Sequence, residues 1–192
     1  MKRFAQLACA LVAAVSIAAC AGDNNTPRDD AAPGATGTTG TAGTSTDVDR
    51  DWINDRLADG DLDVRLGRLA QERGASADVR ALGAMMVEKH TMAGTELKRI
   101  ANRHNVPAAG AARDNDDAGA QVERLSKLSG AEFDRAYLDL MVEEHEDAID
   151  ALEDKARDND EHADVKDWAA KALPDVRQHL QRAKDLRERL DR

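Results

Sequence analysis

The pentapeptide Met86-Val87-Glu88-Lys89-His90 returns fifty-five residues later as Met141-Val142-Glu143-Glu144-His145. Residues four apart share one face of an α-helix, so each copy sets a Met and a His on a common stripe. Val176-Arg177-Gln178-His179 is a third, looser copy, with Val again three before His. Each histidine belongs to a longer seam of apolar positions spaced by three and four. The seams are Val79, Leu82, Met86, His90, Ala93, Leu97, Ile100, then Phe133, Tyr137, Met141, His145, Ala148, Leu152, Ala156, and last Val165, Trp168, Ala172, Val176, His179, Ala183, Leu186, Leu190. Such stripes are buried only when helices turn them toward a shared axis. The chain is therefore constrained to an all-α bundle with histidines on its inner faces.

The helix boundaries follow from local signals. A first helix is expected from about Asp49 to Glu72, closing at Gly74, with Asp63 inside its apolar arc. Ser76 is a good N-cap for a second helix reaching about His104. A long connection follows from Asn105 to about Gly119, then a short amphipathic piece, Gln121 to Leu128. Ser129 with Glu132 three residues on reads as a capping box opening the third long helix. The fourth begins near Asp160 and contains Pro174, which predicts a kink or break. Two hairpins joined by a long crossover between helices 2 and 3 make the ferritin-like form of the four-helix bundle. The bundle domain is assigned to residues 48–192, and Pro occurs there only at positions 107 and 174.

The chain before it is different. Residues 1–19 read as a signal peptide: Lys2 and Arg3, then an apolar run too short to span a bilayer. That run ends in Ile17-Ala18-Ala19-Cys20, which resembles the lipobox of bacterial lipoproteins, where the cysteine is acylated. Ala21 follows Cys20 in place of Asp, which by the same resemblance implies passage to the outer membrane, on its periplasmic side. Residues 20–47 are rich in Gly, Thr and Ala and have nothing to bury, so they read as a disordered tether. Cys9 leaves with the signal, so no disulfide is expected in the mature chain.

Without Lys2 and Arg3 the chain has 25 basic against 37 acidic residues, a formal charge of −12. That charge, with no basic patch, excludes nucleic acid as a partner. The expected partner is the membrane, through Cys20; the sequence names no protein partner. Signatures of hydrolases, phosphate loops, dinucleotide sites and zinc proteases are missing, so no catalytic residue is assigned.

The motifs Asp63-Val64-Arg65-Leu66-Gly67-Arg68-Leu69-Ala70, Met86 to His90, Phe133-Asp134-Arg135-Ala136-Tyr137, Met141 to His145, and Leu173-Pro174 followed by His179 together resemble the bacterial envelope family catalogued as domain of unknown function 4142. The resemblance covers roughly residues 50–188. It implies a ferritin-like helical bundle, often named an outer-membrane protein, and brings no assigned activity. Asp63 stands where the family more often has Glu, and Lys89 where it often has an acidic residue.

Two readings of the inner histidines stay open. His90, His145 and His179 with Asp63 form a candidate transition-metal site, to which Glu144 could add a carboxylate and Met86 and Met141 a preference for copper. Alternatively the imidazoles form a structural polar core, bonded to neighbouring carboxylates or carbonyls, with the Met residues as filling. Counting from Gly74, Asp63 and His90 differ by roughly 7 Å in height at 1.5 Å per residue, which weakens the first reading. A ferritin-like oxidase would need Glu-x-x-His, yet Val87, Val142 and Val176 occupy that place before each histidine. The functional expectation is a lipid-anchored envelope bundle with a binding or structural role, metal binding being its alternative. Any cofactor would be a copper, zinc or iron ion.

Overall fold

The computed structural model describes residues 48–107 and 116–192. The signal, Cys20 and tether readings lie outside these residues, as does most of the long connection. Five helices are formed among the described residues: α1 Arg50–Arg73, α2 Ala77–Arg103, α3 Asp116–Ser126, α4 Gly130–Arg157 and α5 Ala163–Leu190. None is long and apolar enough to cross a membrane. The piece expected at 121–128 is thus a helix of 11 residues that begins earlier, a fifth among the described residues beside the four long ones.

Ion pairs and hydrogen bonds between the helices give the layout. At one end, Asp134 of α4 accepts the N–H groups of Ala75 and Ser76, in the α1–α2 turn, at 2.9 and 2.8 Å. At the other, Lys155 of α4 bonds Asp49 at 3.1 Å and the buried Glu161 at 3.0 Å. α4 therefore runs antiparallel to α1. Arg182 with Asp78 and Arg103 with Asp164 set α5 antiparallel to α2 in the same way. α2 and α4 both start beside the α1–α2 turn, so the chain between them must return the length of the bundle, and α3 lies on that return against α1 and α4.

α1 and α2 pack backbone to backbone. A Cβ at Gly67 would fall 2.7 Å from the Gly83 carbonyl oxygen, and one at Gly83 would fall 2.6 Å from that of Gly67. No other residue permits this approach. Two apolar clusters fill the interior. One gathers Leu66, Met86, Phe133, Tyr137, Met141 and Leu186; the other gathers Ile53, Leu57, Leu97, Leu152 and Trp168. His90, His145 and His179 fall between them in sequence on their respective helices, which makes a polar layer across the middle of the core.

Two local expectations are corrected. Ser129 precedes α4 but makes no side-chain cap bond, so the capping box is not formed. Gly130 follows it at φ 63°, in the left-handed region, whereas the box needs a right-handed residue there to aim the next N–H groups back. Pro174 does not break α5, which runs continuously from residue 163 to 190. Pro174 and Ala170 are both exposed, so the carbonyl that Pro174 leaves without a donor meets water. The Ser76 cap forms as expected, its hydroxyl accepting from Asp78 and Val79.

Candidate metal centre

Each of four helices contributes one side chain to the middle layer: Asp63 from α1, His90 from α2, His145 from α4 and His179 from α5. The seam spacing of each helix turns its histidine inward. The ring centroids form a nearly equilateral triangle, with His90–His145 at 5.6 Å, His90–His179 at 5.2 Å and His145–His179 at 5.4 Å. One nitrogen from each ring lies within 4.8 Å of those of the other two. His145 and His179 are each 1% exposed. Asp63 Oδ2 stands 3.2 Å from His90 Nδ1.

That contact corrects the mismatch in height. Counted from the helix ends instead of Gly74, Asp63 lies 10 residues before Arg73 and His90 lies 13 after Ala77. The difference of three residues is about 4.5 Å of rise. Side chains lean toward the N-terminus of their helix, and in an antiparallel pair Asp63 and His90 lean toward each other. The glycine-lined approach of α1 to α2 closes the rest.

The valences of the rings bear on the two readings. Asp63 engages His90 Nδ1. His90 Nε2 and both nitrogens of His179 are buried with no hydrogen-bond partner among the described residues, and the His145 ring has only a weak contact with the Met141 carbonyl one turn back. A structural polar core satisfies its buried groups, and each one left unmade costs about 1–3 kcal/mol. Several together are a sizeable fraction of the stability of a domain, about 5–15 kcal/mol. Burial lowers the pKa of His90, His145 and His179 to about 4 in each case. Burial raises that of Asp63 to about 6, with the His145 ring opposing. Near neutral pH the layer is therefore three neutral imidazoles and one carboxylate, the protonation state that binds a cation.

The other candidates are placed differently. Glu144 is half-buried, accepts from Gln121 Nε2 at 3.1 Å, and is not among the side chains whose ligand atoms converge. Burial raises its pKa. Met86 and Met141, one turn before His90 and His145, are fully buried members of the first apolar cluster. The Tyr137 hydroxyl, on the same seam as His145, is also buried and without a partner among the described residues, and burial with the nearby Asp63 charge raises its pKa. The periodicity placed Tyr137 on the seam; its unpaired hydroxyl has no sequence signal.

A cavity of about 80 Å³ adjoins the layer, with Asp63, His90 and His179 on its wall together with Arg56, Gly60 and Gly94. His145 is not part of that wall. A second group, His104, His162 and Asp164, also has ligand atoms within 4.8 Å of one another. There Arg103 donates to Asp164 at 2.8 Å, His104 Nε2 meets the same carboxylate oxygen at 3.2 Å, and His162 Nδ1 caps α5 by accepting from the Asp164 N–H. Both histidines are half-buried, not the exposed residues that their place near helix ends suggests.

Fold and site together define an all-α bundle with three converging buried imidazoles in its core. Over residues 34–186 the chain matches the family described as domain of unknown function (DUF4142), and it belongs to that family. The match begins within the Gly/Thr-rich segment read as a tether. No curated protein matches the chain. Among solved structures it is similar to the crystal structure of a DUF305 fragment from Deinococcus radiodurans, at 18% identity and a TM-score of 0.64, covering 73% of this chain and 95% of that one. At that identity the likeness is one of fold.

Proposed function

We propose that the protein binds one transition-metal ion through His90 Nε2 and the rings of His145 and His179, with Asp63 fixing the orientation of His90. The observation that carries this reading is the convergence of three buried rings, one nitrogen from each within 4.8 Å of the others, with His90 Nε2 and both His179 nitrogens without partners among the described residues. Zinc, copper and iron are the ions suited to imidazole donors. A carboxylate on the far nitrogen of a ligating histidine is the usual outer support of such a site. The competing structural reading is supported by the Asp63–His90 contact and by the Met141 carbonyl beside the His145 ring.

The rest of the reading concerns address and form. Antiparallel hairpins with a long return between α2 and α4 support a ferritin-like topology. The Ile17-Ala18-Ala19-Cys20 sequence supports a signal peptide, acylation of Cys20 and a tethered bundle on the periplasmic side of the outer membrane. On this reading the protein acts in the envelope by holding metal, not by catalysis.

Metal analysis of untagged protein tests the site. Stoichiometric zinc, copper or iron is expected in the native chain and absent from the His90→Ala/His145→Ala variant. A chain that stays metal-free after exposure to these ions, and melts unchanged with them, ends the proposal. For the anchor, Cys20→Ala is expected to release the protein from membranes; persistent co-sedimentation with the outer membrane would rule the anchor out.

A further inference from the structure

We infer that the metal keeps one coordination position open toward the cavity, and that a small monoanion fills it, held also by Arg56. This inference rests on the metal-binding reading above and adds what the bound ion meets next.

Geometry provides the open side. Three imidazoles leave a four-coordinate ion one position short. His90 and His179 line the cavity while His145 stands behind them, and the Asp63 carboxylate on the same wall is engaged by His90 Nδ1, so the open position faces the cavity. About 80 Å³ is several times the roughly 10–15 Å³ that a water needs by the same measure.

Two glycines keep that space clear. At Gly67 and Gly83 the close approach of two backbones excludes a side chain, but at Gly60 and Gly94 an added Cβ would meet nothing within 4 Å. Glycine disfavours a helix interior, and at these two positions helix packing does not require it. Both line the cavity.

Charge selects the occupant. A divalent ion with three neutral imidazoles and the Asp63 carboxylate carries one net positive charge. The other charged groups on the wall cancel in pairs: Arg56 with Asp59 at 2.5 Å and Lys89 with Asp175 at 3.2 Å. A buried net charge is unfavourable until it is paired, so the site calls for one negative charge. Arg56 Nε is buried on this wall with no hydrogen-bond partner among the described residues, a donor suited to an anion. Hydroxide, halide and azide belong to the class that fits.

Full-length protein stripped of metal, loaded with one equivalent of Co(II) and titrated with azide is the test. A saturable change in the visible Co(II) bands is expected. Arg56→Met is expected to weaken azide by about tenfold, and Gly94→Leu to abolish the response, both with Co(II) stoichiometry intact. Stoichiometric Co(II) whose spectrum ignores azide overturns this inference and leaves the metal site standing. An azide response equal in the native chain and both variants overturns the cavity and Arg56 assignment. Failure to bind Co(II), or any of the three native ions, removes the metal reading and this inference with it.

Discussion

The His90–His145–His179 layer and the His104–His162–Asp164 group hold similar side chains at similar closeness, yet they differ in what those side chains already do. At the bundle end each ligand atom named has work: Arg103 and His104 share Asp164, and His162 Nδ1 caps α5. A cation there would compete with a guanidinium and dissolve a helix cap. In the middle layer, His90 Nε2 and both His179 nitrogens are buried with nothing bonded to them among the described residues, and the His145 ring meets only the Met141 carbonyl at the margin of bonding. Proximity of histidines is therefore a poor guide to a site. Unfilled valence in a desolvated place is a better one, because it carries a free-energy cost that a ligand relieves.

Acid acts most strongly on the inner layer. In metal-free protein the three inner rings have folded pKa values near 4 against 6.5 in the unfolded chain. Below pH 6.5 the unfolded chain takes up protons that the folded chain refuses. Each ring therefore withdraws up to about 3 kcal/mol of stability as pH falls from 6.5 to 4. Asp63 has the opposite sign, since its folded pKa near 6 lies above 3.8. It returns about as much as one ring removes, which leaves a net loss on the order of 6 kcal/mol. Urea midpoints of metal-free protein across that range check this. His145→Leu should flatten the slope by one ring's share. A flat native profile between pH 6.5 and 4 would show that the inner rings are not buried and neutral.

Asp63 and Asp164 give the next contrast, both being carboxylates against a histidine. Asp63→Asn keeps the shape but withdraws the charge behind His90, and metal affinity is expected to fall about 10–100-fold. Asp164→Asn loosens a solvent-facing pairing with Arg103 and His104, worth within about 1 kcal/mol of stability, and should leave metal affinity unchanged. Competitive chelator titrations of both variants measure the difference. Equal effects would mean that Asp63 is no more than a surface neighbour of His90.

Repetition of Met-x-x-x-His made the inner layer readable, because a three-and-four spacing fixes the direction of each side chain once the helix exists. Ser76 was readable for the same local reason. Relative height was not: it depends on where each helix ends and how its side chains lean, and both act together to bring Asp63 to His90. Ser129–Glu132 had the letters of a capping box, but the left-handed turn at Gly130 overrode them. Pro174 had the letter of a break, but its exposed face made the missing bond harmless. The cavity had no signal at all, since Arg56, Gly94 and His179 are far apart in the chain and only packing puts them on one wall.

The smallest effect tests whether the end group is architecture alone. His162 Nδ1 accepts the Asp164 N–H at 3.2 Å, one of the donors that the first turn of α5 cannot satisfy internally. His162→Ala removes that acceptor, and the loss expected is about 1 kcal/mol, the size of other N-cap deletions. Ser76→Ala, which removes the α2 cap, should cost about the same. Neither change reaches the inner layer, so metal stoichiometry and affinity should match the native chain in both. Thermal melting with and without metal resolves the two quantities: both variants should melt lower by a similar step while the metal-induced rise in Tm stays constant. If His162→Ala instead erased that rise, the end group would be holding the ion, and the contrast between a cap and a metal centre would have to be drawn the other way round.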